Sequence, residues 1–88
     1  MANTTISGSV GKGGINKPQD VVTVQELINQ NIESIAPIPL LKVDGKAGPK
    51  TVSAIEAFQR KVAGIKMPDG RVDPGGKTIT KLLSGRLG

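Results

Sequence analysis

Two stretches of this chain follow nearly the same order of residue types. VDGKAGPKTVSAIEAFQ runs from Val43 to Gln59, and a shortened form, VDPGGKTITKLL, runs from Val72 to Leu83. Asp44-Gly45 marks a turn, because glycine accepts positive φ and aspartate can bond its own downstream backbone, and Gly48-Pro49 marks the start of a helix. Val52, Ile55, Phe58 and Val62 line one face of the segment from about Pro49 to Ala63, and Gly64 supplies its stop. In the second copy Asp69-Gly70 turns the chain and Val72 is the apolar anchor. Asp73-Pro74 there reads as an N-cap followed by a first-turn proline, opening a short helix to about Ser84 that carries Ile79, Leu82 and Leu83. Neither copy has enough apolar surface to fold alone, so both must close one core with a third element.

That element lies upstream. Val21, Val24, Leu27 and Ile28 recur at helical spacing from Pro18 to about Asn31, with polar residues between them and Asp20 near the positive end of the helix dipole. The intervening IESIAPIPLLK holds two prolines among apolar residues, which suits an extended connector rather than a helix. The expected fold is all-α: a small three-helix domain with long structured connectors and a repeated turn-helix unit. Its core is expected to contain Val21, Val24, Leu27, Ile28, Leu40, Val43, Ile55, Phe58, Val62, Val72, Ile79 and Leu82. Residues 1–15 are rich in Gly, Ser and Thr and read as a flexible or loosely docked arm, 16–84 as the domain, and 85–88 as a tail.

Composition removes several chemistries. The 88 residues contain no Cys, His, Trp or Tyr, so a disulfide framework, a Cys/His zinc site and a Ser-His-Asp triad are excluded. No apolar stretch approaches the roughly 20 residues needed to cross a bilayer, and MANTTISGSVGKGG lacks the pattern of a Sec-type signal. The net charge is +5, all of it from residues 60–88, which carry seven basic against two acidic side chains. Nucleic-acid binding is disfavoured, because the only aromatic side chain, Phe58, sits on a core stripe and leaves no stacking platform.

The motifs are similar to those of the bacterial peptidoglycan-binding domain often appended to wall amidases, carboxypeptidases and lysozyme-like enzymes. Val24-Gln25-Glu26-Leu27-Ile28-Asn29 resembles the family's first-helix signature, and Val43 to Gly48 its Val-Asp-Gly-x-x-Gly turn. Thr51, Ala54, Ile55, Phe58 and Gln59 match its Thr-x-x-Ala-(Val/Ile)-x-x-Phe-Gln helix, and Val72 to Leu82 its closing Val-Asp phrase. The last phrase departs from the common form: Asp73 and Thr78 are five apart where Asp44 and Thr51 are seven apart, and Pro74 follows the aspartate. The resemblance implies a non-catalytic module that binds a glycan strand or peptide stem, needs no cofactor or metal, and targets an attached or associated wall hydrolase. The arm and PDGRVDPGG further resemble members linked to type VI secretion effectors and phage tails. That subset implies delivery to the periplasm by such a machine, or an adaptor docked on a spike, tail or effector partner.

Five residues are candidate ligand contacts. Gln25 and Gln59 each follow a core residue and can offer amides to a glycan or peptide, or else bond the backbone of the connectors. Lys46, Arg60 and Arg71 are cations near the turns, suited to stem-peptide carboxylates, Arg in bidentate fashion. Asp44 and Asp73 form the one pair of carboxylates worth weighing for catalysis. Both stand beside turn residues before helices, where aspartate is selected for capping, so no catalytic residue is expected.

Overall fold

The computed structural model of the protein describes residues 6–85. Three helices enclose the core: α1 (Pro18–Gln30), α2 (Pro49–Lys61) and α3 (Lys77–Gly85), with one 3-10 turn at Ile32–Ile35 and a two-stranded antiparallel ribbon of β1 (Val10–Gly11) and β2 (Arg71–Val72). No helix among the described residues is long and apolar enough to cross a membrane.

Pro18 and Pro49 each occupy the first turn of a helix, where no N–H is needed, and neither α1 nor α2 has a side-chain N-cap. Val21, Val24, Leu27 and Ile28 of α1 are buried against Ala54, Ile55 and Phe58 of α2 and against Ile79 and Leu82 of α3. Gly64, at φ +70°, ends the α2 segment, where the N–H of Ala63 bonds Phe58 O at 3.1 Å in a six-to-one closure and the N–H of Ile65 reaches back to Gln59 O at 2.9 Å. Asn31, itself buried, ties α1 to α3 by donating Nδ2–H to Leu27 O (2.8 Å) and Leu82 O (3.3 Å).

Four expectations are corrected. Residues 6–15 pack on the domain: Ile6 and Val10 are buried, and Val10 pairs with Val72. The polar residues that suggested an arm are its attachment. Asp20, buried in the first turn of α1, accepts from Ser7 N (3.2 Å), Ser7 Oγ (2.9 Å) and Gly8 N (3.0 Å). Gly11, at φ +115°, passes so close to Gly70 that a Cβ would stand 2.1 Å from Gly70 O. Here glycine permits contact rather than motion.

Leu40 is 67% exposed and Val43 41% exposed, although both were expected in the core. Asn29 sets the register of the connector with a two-point bond, Leu41 N–H to Asn29 Oδ1 at 2.7 Å and Asn29 Nδ2–H to Leu41 O at 2.9 Å. That turns Leu41 inward and, by the alternation of extended chain, Leu40 outward. Val62 is only partly buried, while Ile35, Ala54 and Ala57 join the core. Finally, α3 starts at Lys77 rather than Pro74. Pro74 and Gly75 (φ +71°) occupy the middle of a turn closed by Gly76 N–H to Asp73 O at 3.0 Å, so Asp73 caps no helix.

Candidate functional site

The repeat builds two copies of one polar clamp. In the first, Gln25 of α1 donates Nε2–H to Asp44 Oδ1 (3.0 Å), Lys46 O (3.1 Å) and Thr51 Oγ1 (3.1 Å). Its Oε1 accepts from Asp44 N and Gly45 N, both at 3.0 Å. In the second, Gln59 of α2 donates to Asp69 Oδ1 (2.9 Å), Arg71 O (3.0 Å) and Thr78 Oγ1 (3.2 Å), and accepts from Gly70 N (3.0 Å). Each aspartate also accepts from the N–H two residues on, Lys46 at 2.9 Å and Arg71 at 3.0 Å.

The two turns sit alike on their helices. A Cβ on Gly45 would meet Pro18 and Val22, seven and three residues before Gln25, and one on Gly70 would meet Val52 and Glu56, seven and three before Gln59. Each turn thus crosses its helix at the same height, held by the amide one turn further on. The shared helix α2 closes the first clamp with Thr51 and opens the second with Gln59.

The structural partner of Asp44 is therefore Asp69, not Asp73. The pairing Gly48-Pro49-Lys50-Thr51 with Gly75-Gly76-Lys77-Thr78 would have given this register from the sequence, with two residues inserted between turn and helix in the second copy. The more conspicuous Val-Asp pairs, Val43-Asp44 and Val72-Asp73, are not structural equivalents. Asp73 instead forms an ion pair with Arg71, Nε–H to Oδ1 at 2.9 Å, the one ion pair among the described residues.

Both clamp carboxyls are held below the ordinary aspartate value. For Asp44 the main cause is the Gln25 amide, then the Lys46 N–H, and for Asp69 it is the Gln59 amide, opposed by partial desolvation and helped by the Arg71 N–H. Anionic acceptors already bonded to two donors each serve as turn fasteners, whereas a general acid needs a raised pKa.

The five candidate contacts fall into three settings. Gln25 and Gln59 are each 1% exposed, with both ends of their amides engaged by the clamps, so they offer a ligand no surface. Lys46 is exposed and lines an open trough with Lys42 and Lys50, two lysines that no motif singled out in the sequence. The trough has two lobes of about 520 Å³ each and continues from the first turn across Leu41 and Pro49 to Ile38, Pro39 and Leu40. Arg71, partly exposed, lines a smaller pocket at the second turn with Lys77 and Thr78. Arg60 is exposed on α2 and lines none of these depressions. Among the described residues no cluster of three acidic side chains is placed to hold a metal ion.

No curated protein and no solved structure matches the chain. A family model does: that of the "Putative peptidoglycan binding domain" covers residues 17–82, from the residue before α1 through Leu82 of α3. The match takes in both clamps, both turns and all but the end of the third helix, which is the whole of the repeated architecture. By that match the chain belongs to the peptidoglycan-binding domain family, a family of binding rather than catalytic domains.

Proposed function

We propose that the protein is a non-catalytic module that docks on peptidoglycan through the trough at its first turn and so holds an attached or associated wall-degrading effector on its substrate. The observation that carries this reading is the family match over residues 17–82. The trough supplies a chemistry that fits it. Lys42, Lys46 and Lys50 share the lining with one carboxylate, Asp44, which leaves an excess of two positive charges beside the apolar Leu41 and Pro49. Stem peptides carry free carboxylates next to short aliphatic side chains, so charge and apolar contact are both matched. The affinity per site is expected to be weak, because such ligands bury little area, and tethering raises the local concentration of whatever the module is joined to. The site of action is the cell envelope, where the ligand is, reached by a secretion machine or phage in the reading that the arm and PDGRVDPGG suggest.

Co-sedimentation with purified sacculi tests it. The parent is expected to pellet at low salt without releasing soluble fragments, and a Lys42→Glu/Lys46→Glu/Lys50→Glu variant to remain in the supernatant with an unchanged melting temperature. Parent protein left wholly in the supernatant would refute the binding. A second reading, an adaptor that docks on a spike, tail or effector protein, is favoured by Leu40, which stands 67% exposed at the apolar end of the trough. Under that reading Leu40→Asp abolishes a protein complex and leaves sacculus binding intact.

A further inference from the structure

The second turn carries a pocket that is the counterpart of the first, and its chemistry differs in one direction. Four positions after the turn aspartate the first copy has Gly48, where the second has Asp73, and two positions before it the first has Lys42, where the second has Met67. The first exchange adds a negative charge and the second removes a positive one, so each lowers the net charge by one. The trough lining at the first turn therefore carries an excess of two positive charges, whereas Arg71 and Lys77 balance Asp69 and Asp73 at the second. The scaffold is the same; the charge preference is not.

The second pocket offers donors and acceptors in equal measure. Arg71 uses Nε on Asp73, which leaves its two Nη groups for another partner. Asp69 Oδ2 and Asp73 Oδ2 accept nothing among the described residues. Thr78 is 95% buried by its 5% exposure, and its hydroxyl accepts from Gln59 while its own proton has no acceptor among the described residues. A carboxylate ligand on the Arg71 Nη groups would stand beside two carboxylates already in the lining, Asp69 and Asp73, and be repelled by them. A neutral group rich in hydroxyls and amides would instead meet the pair as it stands, each hydroxyl both giving and accepting. Its volume of about 190 Å³, small beside the trough, suits one ring rather than a chain.

We propose that this pocket is a second binding site, for a neutral N-acetylated sugar unit of the glycan strand, complementing the trough that takes the anionic peptide stem. The inference rests on the peptidoglycan reading and adds to it a division of labour: one copy of the repeat for each chemical component of the polymer. Two contacts with one polymer also give avidity that neither has alone.

The test is a titration of the ¹⁵N-labelled full chain, followed by amide chemical shifts, with two probes used separately: an uncharged N-acetylglucosamine oligomer and a free anionic stem peptide. The sugar is expected to shift Arg71, Asp73, Gly76, Lys77 and Thr78, with little dependence on salt. The peptide is expected to shift Lys42 to Thr51, with strong dependence on salt. Asp73→Asn, which keeps shape and frees Arg71, is expected to weaken the sugar response by about tenfold and to admit the peptide at the second pocket, a gain that mere unfolding cannot produce. Lys77→Ala, on an exposed side chain of the pocket lining, is expected to weaken the sugar response alone. If the peptide shifts the trough and sacculi bind but the sugar leaves the second pocket unmoved, the second site is refuted and the peptidoglycan reading stands. If neither probe shifts any residue and sacculi are not bound, both are refuted.

Discussion

Replacing Gln59 tests whether the clamps hold the fold. Its Nε2 serves Asp69 Oδ1, Arg71 O and Thr78 Oγ1 within 3.2 Å, and its Oε1 serves Gly70 N, in a side chain 1% exposed. Gln59→Ala strands the buried Gly70 N–H, removes a charge-assisted bond to Asp69 and leaves a void. At roughly 1 kcal/mol for each neutral bond, 1.5 to 3 for the charged one and 1 to 3 for an orphaned donor, with overlap between these, the loss is about 3 to 5 kcal/mol. A domain of this size holds only about 4 to 13 kcal/mol in total, and each kcal/mol moves the melting temperature by about 4 to 8 °C. The isosteric Gln59→Glu sharpens the argument. At neutral pH it sets an anionic oxygen in place of a donor, facing Asp69 Oδ1 and Arg71 O. Burial and the like charge raise the folded-state pKa of this Glu above its ordinary value of about 4.3. The folded protein then holds a proton that the unfolded chain releases, so stability falls as pH rises through that window and returns on acidification, when the protonated carboxyl donates again. Urea and thermal melts of parent, Gln59→Ala and Gln59→Glu at pH 4.5 and pH 7.5 measure this. A Gln59→Glu variant as stable as the parent at pH 7.5, or no less stable there than at pH 4.5 relative to the parent, would refute the clamp as a structural device.

Two further predictions concern the scaffold. The carboxyls of Asp44 and Asp69 are held low chiefly by the Gln25 and Gln59 amides, and that of Asp20 is held low on balance because the Ser7 and Gly8 donors outweigh its desolvation. Folded values below the unfolded ones mean stability that is complete above about pH 4 and lost as pH falls through the folded values, which urea midpoints between pH 2 and pH 6 will show. Gly11→Ala would drive a Cβ to 2.1 Å from Gly70 O, whereas the same change at Gly13, with φ +71° and nothing within 4 Å, meets only backbone strain. The first is expected to detach the ribbon and cost several times the roughly 1 kcal/mol of the second, compared by thermal melts.

What the sequence determined by itself was periodic or locally punctuated. Helical spacing at Val21, Val24, Leu27 and Ile28 placed α1 within one residue of its observed end, and Gly48-Pro49 placed the start of α2, because amphipathic period and proline geometry act over a few residues. The peptidoglycan-binding resemblance was likewise legible, since its motif residues are the clamp and core residues themselves. What only the tertiary structure decided was the use of each polar group. Gln25 reaches a turn nineteen residues away and Gln59 one ten residues away, so neither partner is written next to the side chain that it satisfies. A buried amide must find its bonds wherever the chain returns, and that requirement turned two candidate ligand contacts into the fasteners of the fold. The same holds for the arm, whose sparse apolar residues Ile6 and Val10 became core only when Asp20 and Gly70 lay opposite them. Lys42, Lys46 and Lys50 read as separate surface charges along the chain. They share one trough because the Gln25 clamp bends the connector across the start of α2.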